Sequence, residues 1–142
     1  MNWVIFALSL HVLIAVLGIG MIGALPIAAR SARLASLLPD ALAVSVRPLL
    51  RAARISLFLA FASGAAVDFA FDGAFHRAAW FRLAGLLVVA TALCLGRASV
   101  ALTRALSGGL GAQVALRRIE FWGFTSALAV ACIVVLMEWK PF

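Results

Sequence analysis

An all-α bundle of four membrane-spanning helices is the fold this sequence predicts, and three observations predict it. Hydrophobic residues fill 66% of the 142 positions and charged residues only 12%, a balance that leaves too little polar surface to cover a soluble core. Four mostly apolar stretches each approach the roughly 20 residues a helix needs to cross a hydrocarbon core. Short connections between them suit a bundle forming a single domain over 1–142. The predicted spans are 3–29, 50–72, 78–104 and 115–139.

The first span is long and has no basic segment ahead of it, so it reads as a helix of the mature protein rather than a secretion signal. The second has the shortest apolar run, and Pro48 stands where a helix could begin, at a first-turn position that needs no amide donor. Leu34 to Leu50, with Pro39, Asp40 and Pro48 among apolar residues, reads as a short interfacial helix or structured loop. The third span ends in a glycine-rich turn, Ser107 to Gly111, before the fourth begins. No Gly-Lys-Ser/Thr follows that turn, so the phosphate-binding loop motif is excluded.

Arginine placement predicts orientation. Arg30, Arg33, Arg47, Arg51 and Arg54 flank the first connection and Arg97, Arg104, Arg117 and Arg118 the third, whereas the opposite side holds Arg77, Arg82 and Lys140. Under the positive-inside rule both termini then lie outside the cytoplasm of a bacterial inner membrane, with Trp3, Trp80 and Trp139 at the outer interface and Trp122 at the inner one. The net charge of +7 reads as attraction to anionic lipid and not to nucleic acid, because the arginines flank spans instead of forming a basic domain. Cys94 and Cys132 fall inside spans without CxxC spacing, which supports neither a disulfide framework nor a zinc site.

Polar residues inside the spans are the candidate functional groups, since an ionisable side chain in lipid is costly. His11 shares a helix face with Leu8, Ala15 and Gly18, and the small residues among them predict an inward orientation. Arg82 is followed on one face by Gly85, Val89, Ala92, Gly96 and Ser99 and is predicted to look inward too. Asp68 shares a face with Gly64, Ala65 and Asp72, and pairing of Asp68 or Asp72 with Arg82 would relieve the burial of both charges. Such a pair is either structural or part of an outer-half site around His11, Asp68 and Arg82. His11 lies ~12 Å below Trp3 and Cys132 ~10 Å below Trp139, so a copper(I) site of His11 and Cys132 with Met137 is allowed by depth. A neutral imidazole is also an axial ligand for haem iron. His76, the only other histidine, falls in an outer loop, which disfavours bis-histidine ligation and leaves five-coordinate or mixed ligation. Glu120 shares a face with Gly123, Phe124 and Ala127, where its simplest role is to complement a helix N-terminus. No Ser/His/Asp or Cys/His constellation and no HExxH is present, so hydrolytic chemistry has no support.

The order of these residues resembles a known family. A histidine in the first helix, Leu25-Pro26, Leu49-Leu50-Arg51, Gly64, Trp80-Phe81-Arg82-Leu83, Arg117-Arg118-Ile119-Glu120 and a terminal Lys140-Pro141-Phe142 together resemble HemJ-type protoporphyrinogen IX oxidases and the related CopD-like four-span proteins. The resemblance implies haem b binding with His11 as metal ligand, and an oxidoreductase acting on a porphyrinogen, in which Arg82 and Glu120 occupy catalytic positions. Arg82 stands where that pattern has lysine, Ile119 where it has asparagine and Trp122 where it has proline. Arginine keeps its proton and its planar fork suits a carboxylate, so the resemblance makes a porphyrin propionate the partner of Arg82. The alternatives are a non-catalytic accessory subunit, as a homo-oligomer or within a larger membrane complex, and a copper-handling protein.

Overall fold

The computed structural model describes residues 2–35 and 39–139. The described chain is helical almost throughout: α1 (Asn2–Leu34), α2 (Pro39–Ala70), α3 (Ala79–Leu106) and α4 (Ala112–Trp139). Each carries a stretch long and apolar enough to cross a membrane. The 33 residues of α1 rise ~50 Å, more than the ~30 Å hydrocarbon core, so its last turns carry Arg30 and Arg33 beyond the apolar layer.

The helices run up and down around a ring. The α3–α4 and α1–α2 hairpins are the most extensively packed pairs, α1 also lies along α4, and α2 touches α3 least. One end of the bundle, here the terminal end, holds the start of α1, the end of α4 and the 71–78 loop. The other, the arginine end, holds the end of α1, the start of α2 and the 107–111 turn. Exposed residues such as Phe6, Val16, Phe58, Leu86 and Phe124 cover the outside, as lipid-facing helices require.

One predicted boundary is corrected. The stretch 39–50 is not a separate interfacial element but the first turns of α2, and Pro48 sits inside that helix instead of opening it. Val46 and Leu50 are buried against the bundle, and this packing outweighs the single backbone bond that Pro48 cannot make. Lys140, Pro141 and Phe142 lie outside the described residues.

Packing is lopsided along the bundle axis. Ile22, Leu25, Leu50, Leu57, Leu95, Leu102, Leu116 and Ile119 form a solid core in the arginine half. The terminal half is walled mainly by small residues and encloses a cavity. Close helix approach depends on particular glycines. A Cβ on Gly123 would stand 3.2 Å from Cδ and N of Pro26, and one on Gly18 would stand 3.2 Å from Cβ of Ser56. The buried hydroxyls of Thr91 and Ser126 donate back to Leu87 O and Trp122 O, each at 2.8 Å, so neither is left unsatisfied in lipid. At the arginine end Arg33 Nε donates to Glu120 Oε2 at 2.9 Å, and Gln113 Nε2 donates to Arg33 O at 3.3 Å, tying the end of α1 to α4.

Candidate functional site: a histidine-lined cavity in the terminal half

The cavity measures ≈ 230 Å³ and is bounded by all four helices. Its walls are small or apolar: Ala15, Gly18, Ala60, Gly64, Ala65, Ala84 and Gly85 make the space, and Phe61, Phe81, Val130 and Met137 close it. Ser56, His11 and Asp68 are its polar residues. Small side chains on all sides prevent the walls from meeting, which is why the void sits here and not in the leucine-rich half.

His11 reaches the cavity from α1, as predicted. Its Nδ1 lies 2.8 Å from Ser63 Oγ, and Ser63 Oγ lies 3.1 Å from Ala60 O. The carbonyl can only accept, so the single hydroxyl hydrogen goes to Ala60 when both contacts are hydrogen bonds. The ring must then donate from Nδ1, and Nε2 carries the free lone pair. Gly64 makes room for this arrangement, because a Cβ there would stand 3.2 Å from the ring's Cε1. Sequence reasoning missed Ser63. Its depth was the available signal: counted from Ala70 it lies ~10 Å into the span, level with His11.

Asp68 borders the cavity but its carboxylate is engaged elsewhere. Oδ1 accepts from the backbone N–H of Phe75 at 2.8 Å and of His76 at 3.2 Å, and Oδ2 lies 3.2 Å from His76 Nδ1. The carboxylate therefore folds the 71–78 loop over the mouth of the bundle. That loop brings Phe75 against Phe71, Trp80 and Phe81, with ring centroids 5.4, 6.0 and 6.4 Å away, an aromatic cluster that meets the cavity through Phe81.

The predicted pairing of Arg82 with Asp68 or Asp72 is not formed. Arg82 is exposed and does not line the cavity, and Asp72 is exposed in the loop. The inward face of α3 is instead the one carrying Ala84, Thr91, Leu95, Ala98 and Leu102, nearly opposite Arg82 on the helical wheel. The small residues after Arg82 suggested an interior face, but Val89 and Ala92 line the seam facing α2. Glu120 is likewise remote from His11, since its partner Arg33 lies 22 residues along α1 from His11, or ~33 Å. Arg82, near the start of α3, and Glu120, at the arginine end of α4, therefore stand at opposite ends of the bundle and share no site. Cys132 is exposed on α4, and of the proposed copper trio only His11 and Met137 line the cavity. Among the described residues no group of three or more His, Cys, Asp or Glu side chains is placed to hold a metal ion.

For haem b, the donor chemistry fits at one position. Metal-bound imidazoles are commonly oriented by a hydrogen bond from their other nitrogen, and Ser63 supplies that bond to His11. The volume is less accommodating: ≈ 230 Å³ is below the roughly 300–1,000 Å³ common for small-molecule pockets. A whole macrocycle requires the walls to part, and the least packed wall is the α2–α3 seam. Leu57, Phe61 and Val88 line both the cavity and the groove on the outside of that seam. Comparison of the chain with family models, curated proteins and solved structures gives no match.

Proposed function

We propose that this multi-pass membrane protein binds an apolar, flat ligand in its terminal-half cavity, with Nε2 of His11 as the ligand's polar contact and haem b as the ligand of choice. The observation that carries this reading is the fixed imidazole. A histidine within an apolar span is expensive, and here one is held by a hydroxyl partner and a glycine that yields to its ring, with its second nitrogen left free beside a cavity. The resemblance to HemJ-type and CopD-like proteins points the same way. When bound, haem b would supply one-electron redox chemistry. The chain's own residues would hold and orient it: His11 at the metal, Ser63 behind His11, and Phe81 with the 71–78 aromatic cluster excluding water. Placement in a bacterial inner membrane with the cavity toward the outside belongs to the same proposal.

A second reading, a non-catalytic accessory subunit, draws support from a separate observation. Asp68 and Glu120 are both engaged in structural contacts, and Arg82 pairs with neither. Catalysis of porphyrinogen oxidation would need a proton-handling group at the cavity that these residues do not provide as they stand.

The absorption spectrum of detergent-purified protein, oxidised and dithionite-reduced, tests the proposal, with a pyridine haemochrome assay for stoichiometry. The expected result is a Soret band near one haem per chain that disappears in His11→Ala while helical content is retained. A folded protein that stays colourless after haem addition overturns haem binding and leaves the accessory reading.

A further inference from the structure

The seam between α2 and α3 changes character along its length. At the arginine end it is a groove of ≈ 950 Å³ with Arg47, Arg51 and Arg54 on the α2 wall and Ser99, Thr103 and Ser107 on the α3 wall. Intervals of three and four residues put each trio on one helix face. Arg54 Nη1 donates to Ser99 Oγ at 3.3 Å across the seam. Among the described residues no carboxylate lines this groove, and Glu120 is engaged with Arg33 between α1 and α4. Like charges one helical turn apart destabilise a helix, so three such arginines facing a row of hydroxyls form a site short of an anion.

Toward the bundle's middle the seam continues as an apolar furrow of ≈ 420 Å³ that shares Arg54 and Phe58 with the polar groove and adds Leu57, Val89, Ala92 and Leu93. The groove between α3 and α4 offers a contrast. It holds Arg97, Arg104, Arg117 and Arg118 but no hydroxyl residue. Among the described residues, the α2–α3 seam joins arginines and hydroxyls at one end of the bundle to an apolar furrow running inward, which the α3–α4 groove does not.

We propose that this seam binds one anionic phospholipid. The phosphodiester sits among Arg47, Arg51 and Arg54 beside the hydroxyl of Ser99, since Thr103 and Ser107 donate to Ser99 O and Arg104 O of their own helix, and an acyl chain lies along Phe58, Val89 and Ala92. Guanidinium forks match phosphate oxygens with paired, charge-assisted hydrogen bonds, and basic pockets between helices at a membrane surface suit anionic headgroups. The lipid would fill the gap between the two neighbouring helices that pack least against each other. The proposal is independent of what the central cavity holds.

Delipidated protein offered phosphatidylglycerol or phosphatidylcholine, followed by native mass spectrometry and thermal melting, tests it. Wild type is expected to retain one phosphatidylglycerol under activation that strips phosphatidylcholine, and to melt higher with it. Retention should fall roughly tenfold or more in Arg51→Gln/Arg54→Gln and persist in Arg104→Gln/Arg118→Gln. Ala92→Trp, which fills the furrow without removing a charge, should also lose the lipid, with circular dichroism confirming the fold. Equal retention of both lipids by wild type overturns the proposal without any variant. So does undiminished retention in Arg51→Gln/Arg54→Gln, or equal stabilisation by inorganic phosphate without lipid, which would mark a free-anion site.

Discussion

His11, Ser63 and Gly64 act as one unit. The ring needs the hydroxyl for Nδ1 and needs the missing side chain at Gly64 for space. Gly64→Ala should therefore destabilise the protein by about 1–3 kcal/mol, the usual cost of forcing an extra carbon into a packed contact. Gly20→Ala is the matched comparison, because nothing lies within 4 Å of a Cβ there. Removing a flexible glycine from an open helical position should leave stability unchanged or raise it by up to about 1 kcal/mol. Thermal melts of the two variants in one detergent would check the ranking, and a Gly64→Ala protein as stable as wild type would refute the tight fit. The inward direction of His11 was legible because Ala15 and Gly18, which follow it on the same face, are small. Its partner was harder to see, since Ser63 is one of several serines in apolar surroundings and only depth across two antiparallel helices singles it out.

The end of α2 shows how a carboxylate near a cavity can serve the backbone. The N–H groups of Gly73 and Asp72 return to the carbonyls of Asp68 and Phe69 at 2.9 and 3.1 Å, the paired bonds of a Schellman ending. Asp72 takes the left-handed conformation at φ 55° and Gly73 follows at φ 69°. With the Asp68 side chain holding Phe75 and His76, main chain and side chain of one residue organise the whole turn. Asp68→Ala should cost about 1–3 kcal/mol, because amides at a membrane boundary lose their acceptor, and should speed proteolytic cleavage within 71–78. Asp68→Asn, which keeps Oδ1, should fall between. Equal cleavage rates in all three proteins would refute this role. The composition made the four helices legible but not these assignments. Apolar residues surround each span, so periodicity gives little sense of direction. On α3, Val89, Ala92 and Ser99 after Arg82 mark the seam with α2, whereas the buried face runs through Ala84, Thr91 and Leu95. Likewise Pro48 signalled a helix start, yet burial of Val46 and Leu50 carries α2 through it.

On the scale of the molecule, the division into a solid arginine half and a hollow terminal half separates the proposed ligand site from the proposed lipid site. The proposed orientation puts the 71–78 loop outside and the 107–111 turn in the cytoplasm. In a chain with Cys94→Ala and Cys132→Ala, an impermeant maleimide added to intact cells should label Ala74→Cys and not Gly109→Cys. The reverse pattern would invert the topology and place the cavity on the cytoplasmic side. The uneven packing around the ring also bears on how the protein is made. The two best-packed pairs are consecutive hairpins, and the contact that closes the ring joins residues from both halves of the chain. Each hairpin can enter the bilayer as a unit soon after its second helix is synthesised, and the pairing of α1 with α4 can follow inside the membrane. Until that ring closes, the space between the hairpins stays open to the bilayer, and the proposed haem, arriving through lipid, would reach His11 by that route.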